Sequence, residues 1–146
     1  MPLLAFLATT SLLLAPPVLT SDQIFEKSEA HTLKWTDKVT VVGYIGAIGT
    51  QLVIKTDGTE ETYLVLAPSH ASSKTRFTIE LLPSAQAALR RLSIKDFKKH
   101  FQGKTLRATG KVKMSSMNLI GSPQVRFYSL SIQDLDQIEA VDEETK

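Results

Sequence analysis

The chain has 146 residues, 42% of them apolar, which is enough for one domain with one hydrophobic core. It contains no cysteine, which excludes a disulfide scaffold, a thiol nucleophile, cysteine-ligated zinc and a lipid-modified cysteine anchor. The formal net charge is only +2, but residues 84 to 126 hold ten basic residues against one acid, and residues 134 to 144 hold six acids and no base. This segregation indicates a cationic surface and an acidic tail, although a solvated helix face and a charged terminus would give the same pattern.

An apolar segment opens the chain, since the first charged residue is Asp22. Such a segment is typical of a secretory signal peptide. The alternative is an uncleaved signal anchor, although Pro16 and Pro17 make the segment a poor membrane span. We therefore expect residues 1 to 21 to be a signal peptide or signal anchor. Export to the periplasm or the extracellular space follows from the first interpretation, and membrane anchoring from the second.

The next residues change in character at Trp35. Residues 22 to 34 have no clear hydrophobic period and predict a linker or a short helical lead-in. From Trp35 onwards, apolar residues occupy both faces of a run with glycines at positions 43, 46 and 49, which predicts a long, bent first strand. Residues 51 to 55 and 62 to 66 predict two further short strands, joined by a tight turn at Asp57 and Gly58.

The middle of the chain predicts helices. Residues 76 to 81 alternate, which indicates either an additional strand or an extended approach to a helix. Ser84 predicts one helix cap, Ser93 followed by Asp96 resembles a second, and Gly103 stands where glycine ends a helix. We expect two short helices, or one with a kink, whose outward residues are Arg90, Arg91, Lys95, Lys98 and Lys99.

The most regular strand pattern runs from Thr105 to Met114. One face of this strand is apolar, and the opposite face carries Arg107, Lys111 and Lys113. Residues 124 to 132 are rich in β-branched and aromatic side chains and predict a long-looped antiparallel partner, with a bulge near Phe127 that reconciles its two parities. Residues 134 to 141 alternate more weakly, and residues 142 to 146 form the acidic tail.

Three strands, a helix and two strands form an order that resembles the OB-fold. Residues 101 to 112, FQGKTLRATGKV, are similar to the passage from the helix to the fourth strand in nucleic-acid-binding OB domains. The resemblance covers residues 35 to 141. It implies an all-β fold with one helical insertion, a five-stranded Greek-key barrel whose helix lies between strands 3 and 4. It further implies a ligand across strands two and three, near Tyr44, Lys55 and Tyr63, with the loop of residues 115 to 123 at the rim.

Catalytic and metal-binding patterns are missing from the sequence. His31, His70 and His100 are far apart, and none has an acid or a second histidine at ligand spacing. No serine lies in a Gly-x-Ser-x-Gly elbow, and no phosphate-binding glycine loop is present. We therefore expect no enzymatic activity, no metal and no cofactor.

Two non-enzymatic functions remain. The first is an exported binding module for an anionic polymer, either single-stranded nucleic acid or an acidic polysaccharide. Its predicted ligand-binding residues are Tyr44, Lys55, Tyr63, Lys104, Arg107, Lys111, Lys113 and Arg126. Only 7% of the residues are aromatic, so the stacking platforms that single-strand binders use are few.

The second function is a structural or adaptor domain that binds a protein partner through a sheet edge or face. The segregated charges add a further hypothesis, in which the acidic tail folds over the basic surface and competes with the ligand.

Overall fold

The structure is a computed structural model that describes residues 16 to 34, 36 to 68, 77 to 117 and 125 to 141. Side chains are described for all of these except residues 115 to 117 and 125. The predictions for most of the apolar N-terminal segment, for Trp35, for His70, for most of the loop of residues 115 to 123 and for the tail of residues 142 to 146 therefore lie outside the described residues. The elements, in chain order, are β1 (Val18–Leu19), α1 (Ser21–Glu29), β2 (Lys38–Ile54), β3 (Glu60–Pro68), β4 (Phe77–Leu81), α2 (Pro83–Arg91), α3 (Phe97–Phe101), β5 (Thr105–Met117), β6 (Val125–Ile132), a 3-10 turn (Leu135–Gln137) and β7 (Ile138–Ala140).

Five of these strands hydrogen bond in a closed ring. β2 pairs antiparallel with β3, and β3 pairs antiparallel with β4. β4 then pairs parallel with β6, β6 pairs antiparallel with β5, and β5 returns to β2. The short strands β1 and β7 extend the sheet beside β2 and β5. Three ring strands, helices and two ring strands follow one another along the chain, so the predicted OB-type order of elements is confirmed.

The long, bent first strand is confirmed. Residues 38 to 44 of β2 pair with β5, and residues 45 to 54 pair with β3. The register shifts between Ile45 and Ala47, so Gly46 lies at the irregularity where the strand bends. The predicted tight turn is also present, with Gly58 at a φ of 85° and the Asp57 carboxylate accepting a hydrogen bond from the Thr59 amide at 2.9 Å.

One strand assignment was wrong. Residues 51 to 54 are not a separate strand but the end of β2, and the third strand of the ring is β4. Of the run from residue 76 to 81, for which the sequence left two interpretations open, the described residues 77 to 81 therefore form a central strand. Alternation shows which faces a segment presents, but it does not distinguish a strand that bends from a strand that ends.

The ring encloses the hydrophobic core. Its largest fully buried side chains come from four of the five ring strands and from α1: Ile24, Val39, Val41, Ile45, Leu66, Ile79, Leu81, Leu130 and Ile132. The helices α2 and α3 add Leu89 and Phe101 to the same cluster. Each such side chain contributes roughly 1.5–3 kcal/mol by leaving water, so the ring and its helices stabilise one another.

Residues 22 to 34 contain the helical lead-in rather than an extended linker. α1 begins with a capping box. The backbone amide of Gln23 donates to the Thr20 hydroxyl at 3.1 Å, and the backbone amide of Thr20 donates to the side-chain oxygen of Gln23 at 2.9 Å. Ile24 is fully buried, and β1 pairs with Thr40 and Val41 of β2. Residues on both sides of position 21 are thus packed on the ring. No helix within the described ranges is long and apolar enough to cross a membrane.

The two predicted short helices are confirmed as α2 and α3, but their caps differ from the prediction. Leu82 holds the N-cap position of α2 without a side-chain hydrogen bond, and the Ser84 hydroxyl donates instead to the Gln133 carbonyl at 2.8 Å. Pro83 is the first helical residue, where its missing N–H leaves one donor fewer to satisfy. The N-cap of α3 is Asp96 itself rather than Ser93, and Gly103 follows the helix with a φ of 82°.

The antiparallel pairing of β5 with β6 is confirmed, but the bulge near Phe127 is wrong. The register runs without a break from Val112 opposite Leu130 to Met117 opposite Val125. Phe127 points outward and is partly exposed, while Tyr128 faces the core. The mixed parity of this strand reflects an aromatic residue on its outer face.

One side chain closes a gap in the ring. β5 pairs with β7 through Ala108 and with β6 from Val112 onwards, so residues 109 to 111 have no strand partner on that side. The Gln137 amide nitrogen donates to the carbonyls of Thr109 and Ser131, at 3.1 and 3.3 Å. Its oxygen accepts from the amides of Gln133 and Asp134, at 2.8 and 2.9 Å. A side chain at Gly110 would approach Gln137 to 3.3 Å, which explains the glycine.

We predict that Gln137→Ala lowers the free energy of unfolding by about 2–3 kcal/mol, because it leaves two strand carbonyls and two amides without partners. Urea denaturation measures this loss. Gln133→Ala is the matched control, because only the backbone of Gln133 contributes to this seam, and we expect it to be nearly neutral. A loss below about 0.5 kcal/mol for Gln137→Ala, within the range of an ordinary surface substitution, would show that the seam does not depend on this amide.

Candidate functional site

The outward side of β5 forms a polar face. Leu106, Ala108 and Val112 are buried in the ring, so the residues between them point away from it. This β5 outer face consists of Arg107, Thr109, Lys111 and Lys113. Antiparallel pairing places the first residues of β2 directly opposite, with Lys38 opposite Lys111. The hydroxyls of Thr40 and Thr109 lie 2.8 Å apart beside them.

The pair formed by Lys38 and Lys111 is unusual, because like charges directly opposite one another destabilise an antiparallel ladder. Both residues are exposed. The ion pairs found among the described residues involve neither of them. Sequence reasoning missed Lys38, because only the long-range register between β2 and β5 shows that it shares a face with Lys111.

Lys113 connects the β5 outer face to a tyrosine. Its ammonium lies 3.9 Å from a Glu80 carboxylate oxygen and 5.9 Å from the centroid of the Tyr63 ring, within cation–π range. Lys55 forms an ion pair with Glu61 beside the same tyrosine. Burial raises the pKa of Tyr63, the carboxylates of Glu61 and Glu80 raise it further, and Lys55 opposes them. The structure thus brings Lys55, Tyr63 and Lys113 together.

The other predicted residues lie in different surroundings. Arg107 shares the β5 outer face but pairs with Glu139 of β7 at 3.2 Å. Arg126 pairs with Glu29 of α1, also at 3.2 Å. These pairs are substantially exposed, so each contributes little to stability.

Lys104 and Tyr44 do not join the cluster around Tyr63. Lys104 lines a largely apolar cavity with His100, whose pKa is lowered by burial and by the charge of Lys104. Tyr44 lies beside Gly103, where an added side chain would meet its hydroxyl at 3.7 Å. The eight predicted residues therefore do not form one surface, and their role in binding stays a prediction.

A groove of about 880 Å³ follows the β5 outer face. One wall of this groove is cationic, with Lys38, Lys111 and Lys113. The other wall belongs to the segment that follows β6 and includes Asp134 and Asp136. Neutral hydrogen-bonding side chains complete the lining, among them Thr109, Ser131 and Gln133. The groove offers several donors to an anionic ligand along an extended path, which suits a polymer better than a small compact molecule.

Groups of three or more histidine, aspartate or glutamate side chains that could hold a metal ion are not found in the described part of the chain. The two described histidines, His31 and His100, line different cavities.

Comparisons with known proteins identify structures but no family. No protein-family model and no curated protein matches the chain. One similar solved structure is an SSB from Plasmodium falciparum in complex with ssDNA, at 12% identity and a TM-score of 0.42, covering 75% of this chain and 97% of that one. Another is an OB domain from Thermoplasma acidophilum solved by NMR, at 15% identity and a TM-score of 0.43, covering 89% and 92%. At such TM-scores the likeness adds no argument about fold or function.

The OB-type fold rests on the closed strand ring, the parallel pairing of β4 with β6 and the helices between β4 and β5.

We predict that Lys111→Gln raises the free energy of unfolding at low salt by about 0.2–1 kcal/mol, because it removes the repulsion across the ladder from Lys38. Urea titrations at two salt concentrations measure the gain, which should shrink as salt screens the charges. Lys113→Gln on the same face is the control. It removes a charge that has an acidic neighbour, so it should give no gain. Equal effects of the two substitutions would argue against specific repulsion between Lys38 and Lys111.

Proposed function

We propose that the chain is a non-catalytic OB-type module that binds single-stranded nucleic acid along the groove beside the β5 outer face. The observation that carries the proposal is the pairing of Lys38 with Lys111. Two ammonium groups held side by side repel one another until an anion lies between them. A phosphate backbone supplies such anions at regular intervals. We propose that the closed ring of five strands is the Greek-key barrel of the OB-fold.

Tyr63 favours nucleic acid over an acidic polysaccharide. It is only partly buried and lies beside Lys113, at one end of the cationic row. Single-strand binders combine a cationic path for the backbone with aromatic rings on which bases stack. Glu61 and Glu80 lie beside the same ring, and their charges would limit the phosphate path at this end.

The acidic C-terminal segment supports a competing contact. β7 pairs with β5, Glu139 reaches Arg107, and Asp134 and Asp136 line the groove opposite the lysines. We therefore extend the proposal: these carboxylates lower the positive electrostatic potential that would attract a nucleic acid to the groove. Deleting residues 134 to 146 cannot test this cleanly, because the deletion also removes Gln137 from the seam.

A protein-binding adaptor is the second candidate. Leu52 and Ile54 lie on the same face of β2, next to the hairpin turn, and are 58% and 66% exposed. An apolar pair at the free end of a hairpin suits a protein partner.

Export stays a prediction from the apolar residues 1 to 21. The mass of the protein recovered outside the cell would locate any cleavage site. β1 and the Thr20 cap would be lost if cleavage followed residue 21.

We predict that Lys38→Gln combined with Lys111→Gln weakens binding to single-stranded DNA. Two phosphate contacts should also disappear from the salt dependence, which lowers the slope of log affinity against log salt by about 1.4. Fluorescence anisotropy across a salt series measures both effects. Lys95→Gln combined with Lys98→Gln removes the same charge from exposed positions outside the groove, and the slope should then stay unchanged.

Three outcomes would contradict this proposal. Equal losses in the two double variants would mean that only net charge matters. Tighter binding to heparin than to DNA, with the same variant pattern, would identify a polysaccharide site. Salt-insensitive retention of a protein partner that is lost in Leu52→Ser with Ile54→Ser would favour the adaptor.

We predict that replacing Asp134, Asp136 and Glu139 by their amides raises DNA affinity at low salt. The change removes three negative charges near the lysines while keeping side-chain size and the Gln137 seam. We expect a gain of severalfold that fades at high salt, because exposed charges are screened. The same anisotropy titration reports it, and Asp22→Asn, Glu26→Gln and Glu60→Gln provide a charge-matched control on other elements. Unchanged affinity would rule out the competition.

A further inference from the structure

A separate cavity, of about 430 Å³, lies where α1 and the segment after it meet the middle of β5 and β6. We call it the α1 cavity. Its volume falls within the range of small-molecule sites. Leu33, Val112 and Met114 give it apolar walls, and Ser28, Tyr128 and His31 give it polar groups.

Two hydroxyls at the α1 cavity have no hydrogen-bond partner of ordinary geometry among the described residues, although Glu29 and Arg126 lie near that of Tyr128. Within the described part of the chain, the buried side-chain oxygens without one are those of Ser28, Tyr128 and Ser131. Ser28 and Tyr128 line the α1 cavity, and they are only 9% and 4% exposed. Buried polar groups in native proteins nearly always have a partner, either protein, water or ligand. The α1 cavity is therefore where a partner for both hydroxyls belongs.

Tyr128 is held in place as a hydrogen-bond donor. Phe25 of α1 packs edge-on against its ring, with centroids 5.5 Å apart. Burial raises the pKa of Tyr128; the nearby Glu29 carboxylate acts in the same direction and Arg126 opposes it. A tyrosine phenol is protonated at neutral pH, so this one can donate to an acceptor on a ligand.

The α1 cavity adjoins the groove of the proposed function. Val112 and Met114 line both spaces, and Met114 is 59% exposed at their shared edge. A polymer lying along Lys111 and Lys113 thus passes beside the opening. Lys34, which also lines the α1 cavity, adds a cation that can meet a neighbouring phosphate.

We propose that the α1 cavity accepts one nucleobase of the strand bound in the groove. Its apolar walls suit the faces of a flat heterocycle, and the hydroxyls of Ser28 and Tyr128 suit the polar atoms on its edge. The monomers of an acidic polysaccharide present hydroxyls on nearly every side, so apolar walls would leave those groups without partners. This inference rests on the proposed function and assigns the base-recognising part of it to α1, away from the cluster around Tyr63.

The test compares oligothymidylate with an abasic oligonucleotide of equal length and charge. We expect wild-type protein to prefer the strand that carries bases. Tyr128→Phe and Ser28→Ala should each reduce affinity for oligothymidylate about 3- to 10-fold, in keeping with the loss of one hydrogen bond. Affinity for the abasic strand should not change. Because neither hydroxyl makes a hydrogen bond of ordinary geometry among the described residues, we expect the urea midpoints of both variants to stay close to that of the wild type.

Ser129→Ala is the matched control, because it removes a buried hydroxyl from β6 at a position that lines neither the α1 cavity nor the groove. It should leave the ratio of the two affinities unchanged. An unchanged ratio in Tyr128→Phe and Ser28→Ala, with lower stability, would identify ordered water as the only occupant and overturn the inference. If the substitutions of Lys38 and Lys111 still weaken binding in that case, the proposed function stands. If no variant affects binding to either strand, both fail.

Discussion

The structure depends on one strand having two partners. β2 gives its first seven residues to β5 and its last ten to β3, and this division is possible only because the strand bends at Gly46. Without the bend, the ladder from β3 through β4 and β6 to β5 would remain an open sheet with two exposed edges. The same bend carries Lys38 to Lys111 on β5, so the geometry that closes the fold also places two like charges opposite one another.

The seam at Gln137 couples stability to electrostatics. The amide bridges Thr109 and Ser131 where β5 has no strand partner, and the chain that carries it also carries Asp134, Asp136 and Glu139 along the cationic strand. The acids are therefore held near the lysines by a contact whose structural role is separate from charge. Substitution of the carboxylates can change the electrostatic potential near the lysines without opening the ring. Truncation would change the potential and also remove the Gln137 contact that closes the ring.

Net charge says little about this surface. Arg107, Arg126, Lys113 and Lys55 each have an acidic neighbour, so three of the ten basic residues in 84 to 126 are compensated locally. The ion pairs among the described residues involve neither Lys38 nor Lys111, which lie opposite one another. A phosphate chain would relieve that repulsion, and a base in the α1 cavity would supply partners for two buried hydroxyls. Backbone affinity and base recognition would then lie on adjacent parts of the molecule, joined at Met114.

Local features of the sequence determined much of the fold. The alternation from Thr105 to Met114 identified β5 and its inward face, the glycines identified a bent β2, and Asp57 with Gly58 identified the hairpin turn. Gly103 identified the end of α3. Each rests on the conformational preference of a few adjacent residues. Tertiary structure alone decided which strand pairs with which, the role of β4 and the packing of Ile24. It also decided which acid lies beside Lys55, Arg107, Lys113 and Arg126. Tyr63 and Lys113, or Lys38 and Lys111, are separated by at least fifty residues, and only the register of strands around a common core brings such residues together.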